Sequence, residues 1–311
     1  MNSVSQRLRA ELNPQRPQQF FMEQERATSG ELVSVATIFL TNRECPWRCV
    51  YCDLWKNTTT QTVPPGAIPA QIDFALRELG EPAIRQIKLY NAGSFFDPNA
   101  ILPEDFSAIA ERLRGFERVI VECHPALVGE SAESFRQLLA HHVSRPTLEV
   151  AMGLEIADDA ILAKLNKRMT LAMFKGAADF LRAHDIALRA FVMVKPPFVR
   201  SEEEALDFAR RSIDFAFDCG ATAVSLIPAR FGPDELQTLA QRGDFAPPKL
   251  ATLEVALDYG VALRRGRVFA DVWDLEKFSD CPDCFPARRA RLERMNLQQQ
   301  SEPRADCQHY G

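Results

Sequence analysis

The chain has 311 residues, 46% of them hydrophobic, and a formal net charge of −5. That is enough apolar material for one large α/β domain, or for one domain with appendages. No apolar run reaches the ~18–20 residues that span a bilayer, the start lacks the apolar core of a signal peptide, and an acidic chain gives no global electrostatic case for nucleic-acid binding. A cytosolic setting is therefore expected, and in it the eight cysteines point to metal ligands and reduced thiols more than to disulfides.

The first thirty or so residues are polar, contain Pro14 and Pro17, and are expected to form an arm or cap over 1–32. Val33 to Leu40 reads as a strand, followed by a cysteine-bearing loop. Ile68 to Leu79 then reads as a helix, Gln86 to Tyr90 as a strand and Asp105 to Leu113 as a helix. Arg118 to Val121 is the next strand, Ser131 to Ala140 the next helix and Leu148 to Met152 a fourth strand. A helix from Thr170 towards His184 precedes a strand over Ala187 to Val194. Ser201 and Glu204 form a capping-box pattern that opens a helix to Asp218, with Gly220 just past its end. Ala223 to Ile227 is a sixth strand, Pro248 to Leu263 a helix with proline in its first turn, and Val268 to Trp273 a further strand. Alternating strands and helices imply parallel strands with right-handed crossovers. A closed eightfold barrel and a partial barrel both satisfy that pattern.

The loop after the first predicted strand holds Cys45, Cys49 and Cys52, spaced C-x3-C-x2-C. Thiolates are the usual ligands of iron–sulfur clusters. Three close cysteines hold three corners of a four-iron cubane and leave one iron open to bind a small molecule. Zinc is the competing reading, but zinc knuckles pair C-x2-C elements with a fourth ligand, and the next candidates here are as distant as Cys123 and His124. In a parallel barrel the working residues sit on loops after strand C-termini, which is where this loop falls.

Other predicted strand ends carry polar groups. The second runs into Asn91-Ala92-Gly93, where glycine permits close backbone approach. The third ends in Glu122-Cys123-His124 and the fourth in Gly153-Leu154-Glu155, followed by Asn166-Lys167-Arg168. The fifth ends in Lys195-Pro196-Pro197, which would aim Lys195 into the barrel mouth as a catalytic or anion-binding group; a solvated lysine on a rigid turn is the plain alternative. His124 reads as a satisfied structural histidine ahead of a proton donor or ligand. Two arginine groups, Arg264/Arg265/Arg267 and Arg288/Arg289/Arg291/Arg294, fit either a phosphate-binding patch or a solvated helix face. Near the C-terminus Cys281 and Cys284, with Cys307 and His309, have spacing for zinc or a second cluster, or are unligated thiols.

The cysteine motif with Tyr51 beside its last cysteine resembles the signature of the radical S-adenosylmethionine (SAM) superfamily. Taken with Asp53-Leu54-Trp55-Lys56, Leu89 to Asp97, Gly153-Leu154-Glu155, Asn166-Lys167, Lys195 to Phe198 and Pro247-Pro248, it resembles most the archaeosine-synthase radical SAM subunit family, within the elongator, MiaB and NifB-like class. The resemblance covers most of residues 33 to 265. It implies a partial (β/α)6 TIM-like barrel over 33–265, with the arm before it and an extension over 266–311. It implies a [4Fe–4S] cluster on Cys45, Cys49 and Cys52, and SAM chelated at the open iron and cleaved to a 5′-deoxyadenosyl radical. Tyr51, Asn91, Gly93, Glu122, Glu155 and Lys167 (or Arg168) are the implied SAM contacts. Gly93 is all that remains of the usual Gly-Gly-Glu element. The implied partners are a reductant such as flavodoxin or ferredoxin, a transfer RNA bearing a lysine-substituted 7-deazaguanine, and a tRNA-modifying partner enzyme. Another radical outcome, such as methylthiolation or rearrangement, and a non-catalytic iron–sulfur or zinc scaffold are the alternatives.

Overall fold

The computed structural model describes residues 12–80 and 83–306. Among the described residues, eight strands form one sheet in sequence order. They are β1 (Gln19–Arg26), β2 (Leu32–Leu40), β3 (Gln86–Asn91), β4 (Arg118–Glu122), β5 (Thr147–Glu155), β6 (Ala187–Val194), β7 (Ala223–Pro228) and β8 (Arg267–Ala270). The helices are α1 (Ala67–Leu79), α2 (Phe106–Leu113), α3 (Glu130–Ala140), α4 (Asp159–Lys164), α5 (Leu171–Ala183), α6 (Glu202–Asp218), α7 (Asp234–Gln241), α8 (Leu250–Ala262) and α9 (Phe285–Gln298). Strands β2 to β8 are parallel, while β1 pairs antiparallel with β2. The architecture is the expected partial barrel: β1 and β8 are the two edges, and no β1–β8 ladder closes it.

Local chemistry places the elements. Ser201 caps α6 through Glu204 N–H at 3.0 Å, and the Glu204 carboxylate accepts from Arg200 N–H at 2.9 Å. Asp158 caps α4 and Thr170 caps α5. The outer face of each parallel strand is apolar. Ile38, Ile87, Leu89, Val119, Val121, Val150, Leu188 and Leu226 join helix residues such as Ile72, Phe135 and Leu181 in one buried core.

The concave face is different. Glu25 accepts from Arg189 and pairs with Lys88 at 2.6 Å; Glu149 pairs with Arg189 and Arg118 at 2.6 Å and with Arg267 at 3.1 Å. Lys88 also reaches Glu23 at 2.9 Å. These seven side chains, from five strands beside β1 and its Glu23/Glu25 pair, fill the N-terminal half of the lumen. Their Arg267–Glu25 contact at 3.4 Å spans the gap between β8 and β1. The Glu25 carboxyl lies far below the usual carboxylate range and that of Glu149 falls to about 2, because the neighbouring cations outweigh the cost of burial. Above them Phe21, Phe39, Tyr90, Phe191 and Trp273 form a tier of rings 5.5–6.3 Å apart.

Part of the expected N-terminal arm is thus a sheet strand. The second arginine group is no solvated face either: Arg288 and Arg291 are buried against Glu254 and Asp258, each at 2.6 Å, while Arg289 and Arg294 pair with Glu293 and Glu302 on the surface.

Candidate active site at the barrel mouth

The cysteine loop leaves β2 at Leu40 and is fastened at its base. Thr41 N–H donates to Gln71 Oε1 at 2.8 Å, Thr59 N–H to Asn42 O at 2.9 Å, and Glu44 N–H to Thr59 O at 3.0 Å. Its middle is tied to the segment after α4. Val50 N–H donates to Leu165 O at 3.1 Å and Asn166 Nδ2 to Arg48 O at 2.6 Å. Trp47 stacks on His124, ring centroids 3.9 Å apart. His124 is neutral: Nδ1 accepts from Ala126 N–H, so Nε2 carries the proton and donates to Lys167 O at 3.0 Å. Burial and the Lys167 ammonium hold its pKa down at about 4. The structural reading of His124 therefore holds.

All three cysteines line one cavity of about 250 Å³ at the C-terminal end of the sheet, together with Tyr51, Gly93, Glu122, Glu155 and Lys167. The sequence-predicted groups from β3, β4 and β5 are thus brought together. Gly93, at φ 153°, lies so close to the loop that a Cβ would meet Cys45 Cβ at 3.3 Å. Glu122 Oε1 accepts from Asn91 N–H at 2.8 Å, and burial raises this carboxyl to about 8. Lys167 Nζ pairs with Glu155 Oε1 at 2.7 Å and donates to Tyr51 Oη at 3.3 Å. A register shift in β5 between Gly153 and Glu155, with Glu155 at φ 63°, turns that carboxylate into the mouth.

Two expected residues are placed elsewhere. The Asn91 side chain is buried and does not line the cavity; only its backbone N–H serves the site, through Glu122. Lys195 also does not line the cavity. Its ammonium pairs with Glu202 at the start of α6 and reaches Pro247 O at 3.5 Å, while Glu202 accepts from Lys249 N–H at 3.1 Å. Gly153 was missed as a site residue. A Cβ there would fall 2.3 Å from Glu155 Oε1 and 2.5 Å from Lys167 Nζ, so glycine makes room for the pair. A glycine inside a strand pattern was the available signal. Phe191, on the cavity wall, had no sequence signal beyond being apolar.

The donor set fits a [4Fe–4S] cluster. Burial raises all three thiols, Cys45 to about 11 and Cys52 to about 12, so they stay protonated until a metal takes the proton's place. Among the described residues no trio of His, Cys, Asp or Glu converges on a single ion. A cubane takes one thiolate per iron, so its ligands surround the cluster and do not meet at one point. Of the C-terminal group, Cys281 and Cys284 are buried just before and at the start of α9; Cys307 and His309 lie outside the described residues.

The chain matches no protein-family model. It is 28% identical to archaeosine synthase subunit beta of Methanosarcina acetivorans over 231 residues, 71% of this chain and 65% of that protein, just under two thirds of the relative's length. It is 30% identical to archaeosine synthase subunit beta of Thermococcus kodakarensis over 132 residues, 41% of this chain and 39% of that protein. Among solved structures, the N-terminally truncated Elp3 of Methanocaldococcus infernus shares the fold, with a TM-score of 0.53 at 15% identity over 74% of this chain and 58% of that one. The chain is thus similar in sequence to archaeosine synthase beta subunits and in fold to Elp3, with its C-x3-C-x2-C loop seated at the mouth of the partial barrel.

Proposed function

We propose that the chain is a radical SAM enzyme whose substrate is a transfer RNA carrying a lysine-substituted 7-deazaguanine, opened by an archaeosine-type lyase reaction. The observation that carries the enzymatic part is the single cavity shared by Cys45, Cys49 and Cys52 with Gly93, Glu122, Glu155 and Lys167. The similarity to archaeosine synthase beta subunits supports the substrate and a partner subunit. Bound in this cavity, a cluster on the three thiolates and SAM would supply reductive cleavage to a 5′-deoxyadenosyl radical.

The chain's own residues do the rest. Lys167 presents a cation, and Glu155 and Glu122 present acceptors, at the wall where an amino acid's carboxylate, amine and ribose hydroxyls need partners. Glu155 keeps Lys167 charged, for the pair holds the lysine pKa above its ordinary value. Gly93 lets the β3 loop close on Cys45, and the Trp47–His124 stack holds the cysteine loop in place. Phe191 lines the cavity and meets Tyr90 edge to face, so a tier of rings lies between the cavity and the charged base. Among the described residues no helix is long and apolar enough to cross a membrane.

The test is a comparison of tRNA nucleosides from a deletion strain and wild type, with the purified protein added back anaerobically to the deletion-strain tRNA, SAM and a reductant. The expected result is an unprocessed lysine adduct that disappears on add-back. An unchanged nucleoside profile would remove tRNA as the substrate.

A further inference from the structure

We propose that a second cavity, at the base of the barrel and walled by Arg26, Arg264, Arg265 and Arg267, binds the phosphate or diphosphate group of a small molecule. The two arginine groups of the C-terminal region differ in one respect. Arg288, Arg289, Arg291 and Arg294 each pair with a carboxylate at 2.6–2.9 Å. Arg264, Arg265 and Arg267 instead join Arg26 around a cavity of about 430 Å³ that no Asp or Glu lines.

Among the described residues, two of these guanidiniums have no compensating acid. Arg26 donates to carbonyls, Leu297 O at 2.6 Å and Gly30 O, which leave its charge unneutralised. Among the described residues Arg264 has no ion-pair or hydrogen-bond partner for its side chain. Arg265 pairs with Asp218 at 2.8 Å, and Arg267 shares Glu25 and Glu149 with the lumen network. That network is itself cation-rich, with Lys88, Arg118, Arg189 and Arg267 against Glu23, Glu25 and Glu149. Such a local excess, in a chain of net charge −5, needs a counter-anion.

The turn that presents Arg264 is built to hold its shape. Arg264 stands at φ 52°, outside α8, and a Cβ at Gly266 would fall 2.7 Å from Phe217 and 3.0 Å from Thr222 O. Guanidinium forks match phosphate oxygens in pairs, and Thr28 and Gln298 add neutral donors to the same wall. The cavity is open to solvent with Arg264 and Arg265 exposed at its rim, so a terminal phosphate group can meet more than one guanidinium at once. The base is the end of the sheet opposite the cysteine loop, so this site stands apart from the proposed chemistry.

Isothermal titration of the full chain with inorganic phosphate, diphosphate, ATP and a duplex RNA decides the matter. Saturable binding of at least one of the first three is expected, weakened about tenfold or more by Arg264→Glu and unchanged by Arg294→Glu. Binding of ATP but not of the inorganic anions would name a nucleotide as the source; binding of all three would name the free anion. Arg264→Ala, which removes the charge without reversing it, serves if Arg264→Glu does not fold, and its weakening is read the same way. No saturable binding of the three, binding indifferent to Arg264, or binding of RNA alone would overturn the proposal.

Discussion

The two ends of the barrel lumen are built from the same strands and solve opposite problems. At the base, Glu25 and Glu149 are buried among Lys88, Arg118, Arg189 and Arg267, and the cations hold both carboxyls well below their ordinary range. At the mouth, burial outweighs two backbone donors and the Lys167 ammonium, and the Glu122 carboxyl rises to about 8. The three thiols rise as well. Within the lumen at the base, each buried carboxylate is paired with cations and serves the fold. The mouth holds a carboxyl displaced from its ordinary protonation beside three thiols open to a metal, a combination found at ligand sites.

The comparison can be broken in four places. The largest effect is expected from Cys45→Ala, Cys49→Ala or Cys52→Ala, each of which should abolish bound iron and SAM cleavage while leaving the circular-dichroism spectrum intact. Iron retained at the level of the unmutated protein would contradict the cluster assignment. Next comes Glu149→Ala at the base. It leaves Arg118, Arg189 and Arg267 without their shared acid, and should cost about 3–5 kcal/mol in urea unfolding. A loss below about 1 kcal/mol would mean the network is not what holds the base together.

Gly153→Ala should then act on the mouth alone. Its Cβ displaces the Glu155–Lys167 pair, so SAM affinity should fall about tenfold with a stability loss of about 1–3 kcal/mol. Equal SAM affinity in the variant would detach that pair from SAM. The last test concerns pH. The folded pKa of Glu122 is raised from 4.5 to about 8, so the folded state holds the extra proton between those values. Its contribution is fully present below pH 4.5 and is lost as pH rises through about 8. Glu122→Gln keeps an acceptor for Asn91 N–H and removes the titration. Its stability relative to the unmutated protein should therefore improve as pH rises across that window. A pH-independent difference would place the Glu122 carboxyl in an ordinary, solvated setting.

Much of this was legible in the sequence, and the failures share a cause. The parallel strands were readable because their outer faces pack on helices and are apolar. Strand β1 was not, since Gln19, Glu23, Gln24, Glu25 and Arg26 read as a polar arm. Glu23 and Glu25 are acceptable inside only because Lys88, Arg189 and Arg267 reach them from strands distant in sequence. The same holds for Arg288 and Arg291, buried by Glu254 and Asp258 one helix away. Charge compensation between distant residues leaves no periodic trace.

At the mouth, Cys45, Cys49, Cys52, Gly93, Glu122, Glu155 and Lys167 were found because strand ends and motif spacing are local properties. Lys195 was placed in the mouth by that logic too, but its left-handed backbone, φ 54°, accompanies a side chain bound to Glu202. Its partner Glu202 lies on the next helix, and no pattern of residue types marks that pairing. Gly153 was visible as a glycine in a strand. Its role depended on where the Lys167 ammonium lies, fourteen residues on.

The most direct measurement is release of 5′-deoxyadenosine from anaerobically reconstituted, reduced protein supplied with SAM, beside the Cys52→Ala variant. The mouth described above should give 5′-deoxyadenosine and methionine in equal amounts from the unmutated chain and none from the variant. Cluster-loaded protein that releases neither, under conditions where a known radical SAM enzyme releases both, would contradict the assignment of this cavity.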